Sequence, residues 1–239
     1  MVIDNNESVI NLKGISFGYP GHSLILNNLD LKLFKGGKIG LLGPNGSGKT
    51  TLFHIIMGLL QPLSGTIDIF GKPVRQVNDF KKIYRKIGLL FQDSDDQLFC
   101  PTVLEDVAFG PLNLDQPKDE AIRTAKETLN YIGLSGFEDR ITYKLSGGEK
   151  RLVALATILA MKPRVLLLDE PSTGLDGKTK AKITDVLNNL KLSYIIISHE
   201  TDFVAGVTNS MCKMENGKIF KYKKPHMHVH THPHILHSE

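Results

Sequence analysis

Several absences narrow the reading before any motif is considered. The chain has only two cysteines, Cys100 and Cys212, in 239 residues, and their spacing makes neither a metal pair nor a redox pair, which points to a reducing compartment. No apolar run approaches the roughly 18–20 residues that a membrane-spanning helix requires. The N-terminus, Met-Val-Ile-Asp-Asn-Asn-Glu, lacks the layout of a signal peptide. The expected location is therefore the cytosol, or a membrane surface to which another protein holds the chain. The net charge of +4 is too small an excess to argue for a nucleic-acid partner. There is no internal repeat and no heptad run. With 23% charged and 41% hydrophobic residues, the remainder is ordinary for a soluble globular protein. The length suits one large α/β domain, alone or with an inserted subdomain.

What is present starts at residues 43–50, Gly43-Pro44-Asn45-Gly46-Ser47-Gly48-Lys49-Thr50. This is a Gly-x-x-x-x-Gly-Lys-Thr phosphate loop in its required context, after an apolar strand over 38–42 and before a helix running from Lys49 to Met57. Gly43, Gly46 and Gly48 let the backbone curl so that successive N–H groups aim at one anion, and the helix N-terminus adds its positive dipole end. Lys49 supplies charge for the outer phosphates, and the Thr50 hydroxyl, followed by Thr51, suits Mg²⁺. These features predict binding of a nucleoside triphosphate.

A second element is Val165-Leu166-Leu167-Leu168-Asp169-Glu170. Four apolar residues ending in two acids describe a buried parallel strand with charge at its C-terminal edge, where ligands of open α/β sheets bind. Asp169 is placed to hold Mg²⁺ through its water shell, and Glu170 to polarise a water for attack on the γ-phosphate. A third is Leu145-Ser146-Gly147-Gly148-Glu149-Lys150-Arg151, a helix start with Ser146 as cap and two glycines free to approach a ligand. Around these, residues 8–36 alternate as β-strands, with Ile15, Phe17 and Tyr19 and then Leu29, Leu31 and Leu33 at every second position. Residues 93–146 read as helical. Within 118–132, Ala121, Ile122, Ala125, Leu129 and Ile132 gather on one face.

The order phosphate loop, Gln92 after a strand, Leu-Ser-Gly-Gly, acidic strand and then His199 resembles the ATP-binding cassette family over nearly all of residues 8–220. The resemblance implies an α/β fold: a P-loop core with an N-terminal antiparallel β-subdomain and a helical subdomain inserted at about 93–146, the whole within 1–220. It implies ATP and Mg²⁺ as ligands, with Tyr19 stacking on adenine and Gln92 sensing Mg²⁺ and the attacking water. His199 would contact the γ-phosphate, and Asp176, in Ser172-Thr173-Gly174-Leu175-Asp176, would lie in the loop that crosses a dimer interface. Ser146, Gly147 and Gly148 would complete the phosphate site of a second subunit, which implies a head-to-tail homodimer. One departure is visible: Glu149 stands where the family most often has Gln.

Gln92-Asp93-Ser94-Asp95-Asp96-Gln97-Leu98-Phe99, with the run from Pro101 to Asn113, is similar to the ATPase subunits of energy-coupling factor transporters, nearest the cobalt and nickel import group. That likeness implies a T-type integral-membrane scaffold, a substrate-binding membrane subunit and a place on the cytoplasmic membrane face. In the plainer reading, Leu98, Phe99, Val103, Val107 and Phe109 are simply subdomain core. The tail from 221 to 239 carries His226, His228, His230, His232 and His234 at alternate positions, with His237 beyond. Held extended by Pro225 and Pro233, such imidazoles project to one side and suit Ni²⁺, Co²⁺, Zn²⁺ or Cu²⁺ without selecting among them; the likeness to the cobalt and nickel group favours Ni²⁺ or Co²⁺. A purification tag would be contiguous. A plain polar tail, or metal binding without a biological role, would fit the same residues. A vitamin importer or conventional ABC transporter shares the core motifs. A soluble cassette ATPase would carry a coiled-coil insertion, and a metal-storage protein would leave the ATPase motifs unused.

Overall fold

The computed structural model describes residues 7–222. In chain order the strands and helices are β1 (Ser8–Phe17), β2 (Leu26–Phe34), β3 (Lys38–Leu42), α1 (Lys49–Ile56), β4 (Ser64–Ile69), β5 (Lys72–Pro73), α2 (Val77–Lys81), β6 (Ile87–Leu90), α3 (Val103–Asn113) and α4 (Lys118–Ile132). After a 3-10 turn at Thr142–Lys144 come α5 (Gly147–Ala160), β7 (Val165–Asp169), α6 (Gly177–Asn189), β8 (Ser193–Ile197), α7 (Thr201–Val207), β9 (Ser210–Glu215) and β10 (Lys218–Tyr222). Lys221 and Tyr222, expected in the tail, close β10 opposite Cys212 and Met211. The tail histidines, from His226 to His237, lie outside the described residues.

Two sheets follow from two hydrophobic patterns. The antiparallel sheet β2-β1-β4-β5 comes from alternation. Leu12 lies opposite Leu31, Ile15 opposite Leu29 and Phe17 opposite Leu26, and all six are buried. The second sheet runs β10-β9-β3-β8-β7-β6, parallel except for β10. Its central strands are apolar throughout because both faces are covered. Leu166, Leu168, Tyr194 and Ile196 enter a core shared with α3, α4 and α5. Val165, Leu167, Ile195 and Ile197 enter a core shared with α1 and the antiparallel sheet. This is the α/β arrangement expected above, an antiparallel subdomain beside a P-loop sheet, and its parallel strands deliver the phosphate loop and the acidic pair to one edge.

The helical segment has no separate core. Val103, Val107, Ala125 and Leu129 pack with Leu152, Val153 and Ala156 of α5 in one cluster. Thr124 is buried on the inner face of α4, whereas Ile122 is only half-buried; the Thr124 hydroxyl donates to Gln116 Oε1 at 3.4 Å. Val103 and Val107 are core, in line with the plainer reading. Phe99 and Phe109 are not: they remain 65% and 44% exposed, edge to face with ring centres 4.8 Å apart.

Helix α7 lies so close on β3 that a Cβ at Gly40 would fall 2.0 Å from Val204 Cγ1. Gly40→Ala is therefore expected to cost about 1–3 kcal/mol as an overpacking substitution. In urea unfolding the increment should be smaller in a Val204→Ala background, since the two sites share one contact.

Candidate active site

The phosphate loop joins β3 to α1, and two of its glycines are set by close approach. A Cβ at Gly43 would stand 2.4 Å from the Met214 carbonyl oxygen. At Gly48, the N-cap of α1 with φ 98°, a Cβ would lie 2.8 Å from both Ile25 and Leu26 side-chain carbons. Gly46 has φ 77° and nothing within 4 Å of a Cβ position, so the loop is open on that side. Lys49 is folded over the loop, its Nζ donating to the Gly43 and Pro44 carbonyls at 2.9 Å each. Burial lowers its pKa, opposed by the charges of Glu170 and Asp169.

Asp169 ends β7 beside this loop and is 3% exposed. Its Oδ2 accepts the Thr50 hydroxyl at 2.8 Å, which ties α1 to the central strand. Its Oδ1 is buried without a hydrogen-bond partner among the described residues. Desolvation raises its pKa; the Thr50 bond opposes the rise, the Glu170 charge adds to it, and the Lys49 and His54 charges oppose it. Glu170 follows at φ 49°, a left-handed conformation uncommon outside glycine, and is held there by its N–H bond to the Ile197 carbonyl at 2.9 Å. Glu170 Oε2 accepts from the Thr173 hydroxyl at 2.7 Å and lies 3.1 Å from His199 Nδ1. One cleft is lined by Asn45, Gly46, Gly48, Lys49, Thr50, Thr51, Gln92, Asp169 and Glu170.

These residues fit a magnesium nucleotide. An orphaned acceptor on Asp169 and an adjacent hydroxyl on Thr50 are hard oxygen donors of the kind Mg²⁺ takes. Ser47 Oγ, also buried and without a hydrogen-bond partner among the described residues, lies in the loop itself.

Tyr19 and the Leu-Ser-Gly-Gly motif stand apart from that cleft lining. Tyr19 is 44% exposed and meets Phe17 edge to face at 5.1 Å. Ser146 caps α5: its hydroxyl accepts from the Glu149 N–H at 3.3 Å, while Glu149 Oε2 accepts the Ser146 N–H and hydroxyl at 2.9 Å each. Arg140 donates to Glu149 Oε1 at 3.0 Å. Glu149 thus performs the reciprocal cap that Gln would perform. Gly148 lies against Thr179, whose Oγ1 would be 3.0 Å from an added Cβ. Thr179 in turn donates to Asp176, the N-cap of α6, through its hydroxyl at 2.7 Å and its N–H at 3.0 Å. Gly148 and Asp176 are therefore joined through one threonine, and neither lines the phosphate cleft. Gly147 borders a wider cavity that also reaches Thr50, Gln92 and Asp169.

Sequence reasoning gives no role to Thr173 or Arg151, although both lie within its motifs. Arg151 is 7% exposed and donates to the Phe91 and Gln92 carbonyls. An arginine opening an otherwise apolar helical run, Leu152 to Ala160, is the signal that could have found it.

The Ser146 N–H holds the Glu149 carboxyl below its ordinary range, aided by the Ser146 hydroxyl and Arg140 against some desolvation. A carboxylate whose folded pKa is depressed stabilises the fold above its unfolded value and loses that contribution as pH falls through the folded one. Wild type should accordingly exceed Glu149→Gln in urea stability at neutral pH, and the advantage should fade below about pH 4. An advantage unchanged by acid would remove the carboxylate charge as its source.

Residues 26–173 match the ABC transporter family. The energy-coupling factor transporter ATP-binding protein EcfA of Methanocaldococcus jannaschii is 42% identical over 221 residues, 91% of this chain and 79% of that protein. The EcfA of Methanothermobacter thermautotrophicus is 41% identical over 221 residues, covering 91% and 71%. Among solved structures, cbiO1 from Clostridium perfringens, part of the ABC transporter complex cbiONQ, superimposes with a TM-score of 0.82 at 33% identity, covering 90% of this chain and 88% of that one. A dimeric ATP-binding cassette in a post-hydrolysis state with ADP and Pi gives 0.80 at 28% identity, covering 89% and 98%. The phosphate loop beside a buried acidic strand end and these likenesses agree: the chain belongs to the ABC transporter family, as an ATPase homologous to the energy-coupling factor type whose hydrolysis is coupled to transport.

Proposed function

We propose that this ATPase energises uptake of a transition-metal ion, cobalt or nickel, as the motor subunit of an energy-coupling factor importer. The observation that carries the chemistry is the Thr50–Asp169 contact, with an open Asp169 oxygen beside Glu170. In this reading Lys49 leaves the Gly43 and Pro44 carbonyls for the outer phosphates, and the loop N–H groups from Gly46 to Thr51 cradle the rest. Thr50, Asp169 and Gln92 would hold Mg²⁺, which when bound supplies positive charge against the phosphoryl oxygens. Glu170, fixed by Thr173 and His199, orients the attacking water and accepts its proton. His199 reaches the γ-phosphate, and Tyr19 offers its exposed ring to adenine. Ser146, Gly147, Gly148 and Asp176 act on the nucleotide of a second subunit in a head-to-tail homodimer; none of the four is in the lining of the chain's own phosphate cleft.

The partner reading draws on an apolar groove next to the Gln92 loop, bordered by Leu59, Tyr84, Leu89, Phe99 and Phe109. No helix among the described residues is long and apolar enough to cross a membrane. A membrane scaffold and a substrate-binding membrane subunit are the proposed occupants of the complex, with this chain peripheral on the cytoplasmic face. The cargo reading draws on the likeness of residues 92–113 to the cobalt and nickel group and on the histidines at 226, 228, 230, 232, 234 and 237.

Glu170→Gln is expected to slow steady-state ATP hydrolysis by about 10²–10⁴-fold, the range for a positioned base, with fluorescent-nucleotide binding retained. Near-normal turnover would remove Glu170 from that role. Purification from native membranes in mild detergent should bring down one helical scaffold and one small membrane protein; a pair of conventional permease subunits would assign the chain to another transporter type. Truncation after Tyr222 should abolish calorimetric Ni²⁺ and Co²⁺ binding, and binding that survives truncation would rule out the tail as chelator.

A further inference from the structure

Arg151 is a buried cation without an ion-paired anion among the described residues. It sits near the start of α5 at 7% exposure, and none of the salt bridges found there involves it. A desolvated guanidinium is costly unless its donors are met, and here a fork of two backbone carbonyls meets them. Nη1 donates to the Phe91 oxygen at 2.6 Å and Nη2 to the Gln92 oxygen. The same stretch is held from other sides by the same helix. Gln97 Oε1 accepts the Phe91 N–H at 3.2 Å, while Gln97 Nε2 donates to the Ala154 carbonyl and the Thr157 hydroxyl at 2.8 Å each. Lys150 pairs with Asp95 at 2.6 Å. Burial lowers the Arg151 pKa, while the charges of Asp93, Asp169 and Glu170 raise it, so the guanidinium stands within electrostatic reach of the acidic pair.

Gln92 itself is exposed, at the rim of the cleft that Thr50 and Asp169 line. An exposed loop residue keeps a fixed reach only if its backbone is fixed from beneath, and Arg151 bonds the peptide oxygens of Gln92 and of the residue before it. We infer that Arg151 is a positioning residue for ATP hydrolysis, clamping the backbone from which the Gln92 side chain reaches the cleft. The inference rests on the reading of Gln92 as the residue that contacts Mg²⁺ and the attacking water. Lysine cannot substitute fully, because one ammonium is a point charge rather than a planar fork.

The test is a mutant cycle on the full chain: Arg151→Met and Arg151→Lys, each alone and with Gln92→Ala. The readouts are kcat, KM for ATP, melting temperature and hydrogen exchange at the 91–93 amides. Arg151→Met should lower kcat by about 10–100-fold, the scale of an ångström-sized misplacement, with KM for ATP little changed and exchange at 91–93 accelerated. Arg151→Lys should fall between Met and wild type. In the Gln92→Ala background neither substitution should reduce kcat further. Wild-type kcat in Arg151→Met, or losses that simply multiply with that of Gln92→Ala, would overturn the inference. Should Arg151→Met fail to fold, Arg151→Lys decides: a kcat equal to wild type overturns it, and a loss that vanishes with Gln92→Ala supports it. Normal turnover in Gln92→Ala alone would refute the reading of Gln92, whereas a slow Gln92→Ala beside a normal Arg151→Met would refute only the clamp.

Discussion

Two adjacent carboxylates, nearly buried at the end of an apolar strand, are the constraint around which this molecule is arranged. Asp169 and Glu170 are 3% and 6% exposed, and burying charge is unfavourable unless neighbours offset it. The offsets come from different parts of the chain: a hydroxyl from α1, a hydroxyl from the loop before α6, a histidine after β8, and the charge of Lys49. Each fixes one element relative to β7. The fold at this edge is in that sense the solution to a solvation problem, and one oxygen of Asp169 is left without a partner among the described residues.

The two cores explain how that edge stays in place. Strands β7 and β8 send alternate side chains to opposite faces, so neither layer can slide without disturbing the other. Glycine allows close approach where elements meet: Gly40 under α7, Gly43 against Met214 and Gly148 against Thr179. These positions are set by neighbouring atoms rather than by loop freedom.

Legibility in the sequence tracks how far apart along the chain the interacting residues lie. The phosphate loop is contained in eight residues, and the strand and helix start around it follow from spacing alone. The acidic strand end and the Ser146 cap are equally local. What spacing does not reveal are pairings between distant segments: Arg151 with Phe91 and Gln92, Gly148 with Thr179 beyond β7, and Gln97 with the far side of α5. Periodicity also marks Phe99 and Phe109 as apolar without telling a core position from a groove wall, and it ranks Ile122 above Thr124 as an inward residue of α4. Identity as an ABC ATPase is legible because an ordered set of short motifs is far more specific than any one of them. Cargo is not, because the motifs read in the core are those of nucleotide chemistry.

The first turns of α5 carry two attachments at once. Gly148 touches the threonine that bonds the cap of α6, and Arg151, three residues on, grips the loop bearing Gln92. At a rise of about 1.5 Å per residue these attachments are separated by about 4.5 Å of helix. Helix α5 is also continuous with the core of α3 and α4. Tilting that helical segment about the sheet would therefore act like moving a lever whose short arm holds both Gly148 and the loop bearing Gln92. Push from the groove side and the two would travel together, so mechanical input from outside would reach the cleft as one coordinated displacement.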